Sequence, residues 1–158
     1  MARSTFVYVS YIRTTPDELW SALTDAEFMK QYWLGMHCES EWTAGSAWKM
    51  ISDKGEIVDD GEIVESDPPR RLVIRWQHQK YPELKAEGPS LCTMLLEPKG
   101  AGVKLSITHT IERDPSKFAA AVSEGWPMII SNLKSLLEAG TTVLPNDGAE
   151  QRHRAVAK

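Results

Sequence analysis

The sequence predicts an α+β fold in which one antiparallel sheet of about six to seven strands carries its helices on one face. Three observations predict it. A strand-like run, FVYVSYIR (6–13), leads directly into two short capped helical segments. Residues 36–111 then alternate β-branched and apolar runs with turn residues, without a long helical period. The longest apolar helical pattern comes last: in EGWPMIISNLKSLL (124–137), Trp126, Ile129, Ile130, Leu133, Leu136 and Leu137 fall at helical spacing. Helices segregated from a run of strands are the α+β pattern.

After the first strand, TTPDELWSALTD gives a full helix start. Thr15 is the expected N-cap, Pro16 takes the first helical position and Glu18 completes a capping box. Leu19, Trp20 and Leu23 form its buried side. Thr24 or Asp25 caps a second helix, DAEFMKQYW, with Phe28, Tyr32 and Trp33 inward and Gly35 ending it. MHCESEW, AWKMIS and EIVDDGEIVES follow as strands separated by TAGS and DKG turns, and Pro68 and Pro69 stop the third. In RLVIRWQH, Leu72, Ile74, Trp76 and His78 alternate with Val73, Arg75 and Gln77. A charged loop, QKYPELKAEGP, precedes SLCTMLLEP and VKLSITHTI, a hairpin joined by PKGAG that places Val103, Leu105, Ile107 and His109 on one face. Asp114 and Pro115 open the final helical stretch and Gly140 closes it. A helix of that length, roughly 36 Å, can lie along strands of eight to ten residues.

Bulk properties bound the function. The 158 residues, 42% hydrophobic and 25% charged, suit one globular domain, expected over 1–140 with a flexible tail over 141–158. A net charge of −4 argues against general affinity for nucleic acid or anionic membrane. No apolar run approaches the ~20 residues of a membrane span. The N-terminal segment lacks a signal-peptide h-region and cleavage site, so a cytoplasmic location is expected. Cys38 and Cys92 match no paired-ligand spacing and are expected as thiols.

Several segments in series carry a resemblance: TTPDELWSALTDAEFMKQYW, GEIVDDGEIVESDPPRRLVIRW, EGPSLCTMLLEP, VKLSITHT and GWPMIISNLKSLLEAG. In that order the chain resembles the START-like (SRPBCC) superfamily, and within it the AHSA1-like branch named for the C-terminal domain of the activator of the Hsp90 ATPase. The resemblance runs from about residue 6 to residue 140. It implies a helix-grip fold: a curved antiparallel sheet around the C-terminal helix, with a cavity between them. It also implies lipid-type ligand binding or a stress-linked chaperone cofactor role. The eukaryotic Hsp90 activator has a further N-terminal domain that these residues do not include, which weighs against a co-chaperone role.

The candidate ligand-binding residues are those expected to face that interior: Trp33, Met36, Trp48, Trp76, His78, Met94, His109, Trp126, Ile130 and Leu133. Indoles can border a wide apolar space while offering an N–H, and thioethers adapt to loosely shaped guests. His109 or His78 on an apolar wall would orient a carboxylate or hydroxyl; the competing reading is a core histidine bonded to backbone. His37 and Glu39 form only an H-x-E pair on a strand edge, too few for a metal site. The acids Asp59, Asp60, Glu62 and Glu65 read as a solvated strand rather than catalytic carboxylates. No nucleophile motif or phosphate loop occurs, and no cofactor is expected. Pro127 either kinks the last helix or occupies its first turn, and in both cases places a joint beside Trp126.

The sequence therefore points to non-catalytic binding of a small hydrophobic or amphipathic molecule between sheet and helix. A chaperone-linked interaction module is the alternative, and a cyclase or hydratase the third reading. Outward apolar residues (Val73, Leu91, Leu95) leave room for a homodimer.

Overall fold

The structure, a computed structural model, describes residues 2–145. Seven strands form one antiparallel sheet in the order β1-β7-β6-β5-β4-β3-β2. The strands are β1 (Ser4–Ile12), β2 (His37–Ser40), β3 (Ala47–Ile51), β4 (Ile57–Asp67), β5 (Arg71–His78), β6 (Ser90–Lys99) and β7 (Gly102–Ile111). From β2 to β7 each strand pairs with its successor, and β1 adds to β7. The helices are α1 (Pro16–Thr24), α2 (Ala26–Met29), α3 (Pro82–Lys85) and α4 (Lys117–Ala139). This is the expected α+β helix-grip fold.

Local chemistry sets the helix ends. Thr15 caps α1, its hydroxyl accepting from Glu18 N at 3.2 Å with Pro16 behind it. The box is not reciprocal: Glu18 Oε2 instead accepts from the hydroxyl of Thr14 at 3.0 Å. Asp25 caps α2 by accepting from the amides of Glu27 and Phe28. The second helix is shorter than expected. It ends at Met29, and the chain descends through turns to Leu34 and Gly35, both at positive φ. Tyr32 and Trp33 still reach the core, and the hydroxyl of Tyr32 donates to Ala22 O at 2.7 Å. Helix α4 runs unbroken for 23 residues with Pro127 inside it, which decides between the two placements of that proline. Gly140, at φ 82°, closes it with its N–H bonded to Leu136 O.

One buried cluster unites α1, α2, α4 and the inner sheet face. On β7 the alternation is strict, with Val103, Leu105, Ile107 and His109 buried. Gly61 of β4 lies directly between Trp48 and Trp76 in the ladder. A Cβ there would stand 1.7 Å from the carbonyl oxygen of Arg75, so only glycine permits this approach.

On the other face Val7, Val9, Tyr11 and Leu91 are exposed. Val73, expected among them, is buried instead, and Leu95 is half-buried. Val73 pairs with Glu65 at the point where the β4–β5 register shifts after Ile63. Cys38 and Cys92 are buried and share no disulfide, and burial pushes the Cys92 thiol far up. No described helix is long and apolar enough to cross a membrane. Residues 141–145 return along α4, where Asn132 Oδ1 accepts from the amides of Val143 and Leu144. The remainder of the expected tail lies outside the described residues.

Candidate functional site

The interior beneath the first half of α4 gathers most of the aromatic rings of the core. Across Gly61, the Trp48 and Trp76 rings meet at 4.3 Å between centroids. Trp76 in turn meets His109 edge-on at 5.0 Å and Trp126 at 5.9 Å. Trp33 closes the group against Trp126 at 5.3 Å, in the T-shaped geometry aromatic pairs favour. Phe118, in the first turn of α4, packs on both His109 and His78.

These rings interlock. The space bounded by Trp33, Trp76, Val122, Trp126 and Ile129 amounts to about 200 Å³ between atoms, and none of it accommodates a water molecule. The open cavity expected from the sequence is therefore closed in this conformation, below the roughly 300 Å³ at which ligand pockets begin. The four indoles expected to border the gap, those of Trp33, Trp48, Trp76 and Trp126, fill it between them.

The polar atoms of this interior are not equally served. The indole N–H groups of Trp33, Trp48 and Trp76, and Nε2 of His78, are buried without a hydrogen-bond partner among the described residues. Each such group forgoes its hydration at a cost of about 1–3 kcal/mol. Their gathering under one helix calls for an explanation.

Two polar pairs are built into the same face. Asp59 of β4 stands opposite His78 of β5 in the ladder, and Oδ1 lies 2.5 Å from Nδ1. Both side chains are at most 1% exposed. A carboxylate can only accept, so Nδ1 is the donor, and in the neutral tautomer that leaves a lone pair at Nε2. The His78 ring stacks flat on Tyr81, 5.5 Å away with planes 6° apart. Beside it, Ser90 Oγ and His109 Nδ1 lie 3.1 Å apart, also buried.

A carboxylate ties the first turn of α4 over this region. No acid occupies the first turn of α4; Glu87, from the loop after α3, supplies one. It accepts from the Ser116 hydroxyl at 2.7 Å, from Lys117 N at 2.7 Å and from Phe118 N at 3.2 Å, while Ser116 caps the helix through Ala119 N. Burial pushes the Glu87 carboxyl up. The Ser116 hydroxyl, the two amides and the nearby Arg113 charge outweigh it and leave the group below the usual carboxylate range.

All ten sequence-derived candidates are buried to 3% exposure or less. Trp33, Trp48, Trp76, Trp126 and His109 come together as one aromatic group, with His78 joined to it through Phe118. Met36, Met94, Ile130 and Leu133 belong to the surrounding core but do not border the closed space. Sequence reasoning missed Val122, Ile129, Ser90, Phe118 and, above all, Asp59. The solvated reading holds for Glu62 and Glu65, which pair with Arg75 and Arg71 at the surface, but not for Asp59, which is fully buried. The signal was present: Asp59 alternates with Gly61 and Ile63, so it shares the inward face.

Solved structures share this fold at low sequence identity. CalU16 from Micromonospora echinospora matches with a TM-score of 0.69 and 20% identity, over 97% of this chain and 85% of that one. The Aha1 dimer from Colwellia psychrerythraea matches at 0.70 and 22%, over 87% and 98%. PFC0360w, an HSP90 activator from Plasmodium falciparum, matches at 0.68 and 21%, over 84% and 95%. These likenesses establish the fold. No curated protein matches the sequence significantly. The profile of one family does match, over residues 13–138, which spans everything from the end of β1 to the last turn of α4. With the sheet, the gripped helix and that continuous match in agreement, the chain belongs to the Activator of Hsp90 ATPase homolog 1-like protein family.

Proposed function

We propose that this protein binds a small, largely apolar molecule bearing hydrogen-bond acceptors, between the inner sheet face and the first half of α4. The observation that carries this reading is the set of buried, unpartnered indole N–H groups of Trp33, Trp48 and Trp76, together with His78 Nε2. A guest with matching polar atoms would satisfy groups that the closed state leaves wanting, so binding gains more than apolar burial alone. Because the space is filled at rest, binding requires α4 to lift at its Glu87-held end. The free-energy cost of that opening is subtracted from the intrinsic affinity.

Titration with fatty acids, sterols, flavonoids and fluorescent apolar probes tests the reading. The expected result is quenching of tryptophan fluorescence with a raised melting temperature for at least one class. Failure of every class to produce either would remove it.

A second reading has its own support. A filled interior suits a module that works through its surface, and two of the structural neighbours are described as Aha1 and an HSP90 activator. On this reading the protein engages an Hsp90-type chaperone. Capture of the chaperone with a change in its ATPase turnover, in a preparation where no small molecule binds, would favour it over the first.

A further inference from the structure

We infer that Asp59 and His78 form a general-base dyad, so that the interior site is built to take a proton from its guest as well as to hold it. This rests on the ligand-binding reading above and goes beyond it.

Three features of the pair argue for more than packing. First, the ladder places a carboxylate directly opposite an imidazole on the inward face, and the 2.5 Å contact fixes the tautomer that leaves Nε2 as a base. Second, Nε2 is buried and has no partner among the described residues. Third, the ring is held rigidly: Tyr81 stacks on one face, Phe118 packs at an angle, and Asp59 fixes the edge. Orientation of this kind, with a carboxylate behind the base, is what proton abstraction requires.

The surroundings supply the complementary part. Trp76, two residues before His78 on the same inward face of β5, carries an unsatisfied indole N–H, a donor suited to an oxygen that gains negative charge when a proton leaves. The substrate class is therefore a small, flat, apolar molecule with an acidified C–H beside a carbonyl or comparable acceptor. In the step, the C–H proton passes to His78 Nε2 while Nδ1–H stays on Asp59. The electron pair of the broken bond remains on the substrate as an enolate. Where a carbon–carbon double bond adjoins that carbon, the enolate extends over it, and the proton returns from Nε2 to the far carbon of the double bond, an isomerisation with no net redox change and no co-reactant. His78 is the catalytic residue, and Asp59 is a positioning residue.

The elimination of 5-nitrobenzisoxazole tests this on the whole protein. The base removes the ring C–H, the electron pair forms the nitrile, the N–O bond breaks, and the oxygen leaves as a coloured phenolate. Tryptophan quenching by the same probe reports binding separately. The expected result is saturable turnover above the buffer rate that falls by about 100-fold or more in His78→Gln. Asp59→Asn should lower kcat by on the order of 10–100-fold with KM unchanged, and the imidazole nitrogen resonances of His78 should lose the fixed Nδ1–H signature. Quenching without turnover above buffer overturns the dyad and leaves the binding reading standing. Neither quenching nor turnover overturns the dyad too, and the binding reading is then judged by its own titrations. The wild-type measurement decides by itself, so poor folding of either variant does not protect the inference.

Discussion

The two halves of α4 are held in different ways. Beyond Pro127 the helix is tied at many points. Asn132 bonds Val143 and Leu144, Lys134 reaches Tyr11 O and Glu138, and Glu138 accepts from Arg13 N, while Ile130 and Leu133 are fully buried. Before Pro127 the apolar face is just as buried, through Phe118, Val122 and Trp126, and Glu87 ties the first turn through the Ser116 hydroxyl and the amides of Lys117 and Phe118. The rear half covers methyl and methylene groups that want nothing further. The front half covers indole N–H groups and a His–Asp pair. The opening proposed above would start at the Glu87 end, and that is where the unsatisfied chemistry lies.

The largest effect sharpens what lies beneath the front half. Asp59→Ala removes one member of a buried pair and leaves the other without its partner, with an expected loss of about 3–5 kcal/mol in urea unfolding. On the same strand Glu62→Ala, which breaks an exposed pair with Arg75, is expected to cost no more than about 1 kcal/mol. Similar costs for the two would mean that Asp59 is solvated after all. The next effect tests the rear half as pure packing. Leu133→Ala opens a cavity in a fully buried site and is expected to cost about 2–5 kcal/mol, with probe affinity at the front unchanged. A large drop in affinity would show the two halves to be one unit.

A smaller effect concerns the latch. Glu87→Gln keeps the shape but removes the charge that faces two helix amides, with an expected loss of about 1–2 kcal/mol. Hydrogen exchange should quicken over 117–126 and stay unchanged over 129–139. The pH dependence follows in sign. A carboxyl held below its usual range in the fold stabilises fully at and above that range, and the contribution is lost as pH falls through the lowered value. Wild-type stability should therefore decline on acidification below the ordinary carboxylate range, and the Glu87→Gln variant should decline less. Parallel pH profiles would remove Glu87 as the latch.

The same contrast explains what the sequence made legible. Strand faces on β5 and β7 could be read because alternation is local, and so could the start of α1 and the end of α4, where caps and Gly140 act within a turn. The ring gathering was legible in its members but not in its outcome: whether four indoles border a space or fill it depends on distances between elements. Asp59 was lost because DDGE reads as a polar run. Its partner, His78, lies 19 residues away and is chosen by β4–β5 register. Val73 was lost for the same reason, since a register shift on β4 alters what lies next to it. Glu87 could not be paired with α4 at all, because a cap supplied from 30 residues away leaves no local pattern. The short helix α3 was too brief to stand out from a charged loop.

Pro127 is the sharpest probe of the divide, because its equilibrium effect should be the smallest. Proline gives no N–H to the carbonyl of Ser123, so the backbone bond that would couple the front half to the rear is missing at the boundary. Pro127→Ala restores that bond, worth about 0.5–1.5 kcal/mol. It also frees the unfolded chain, which costs about 0.4–1 kcal/mol. The two nearly cancel, so the melting temperature should scarcely move. The kinetics should move: with the ladder continuous, lifting the front half must strain the rear, so both probe association and probe release slow while affinity holds. Stopped-flow tryptophan quenching measures both rates. Unchanged rates alongside unchanged affinity would show that the joint beside Trp126 does not govern opening, and that Glu87 alone does.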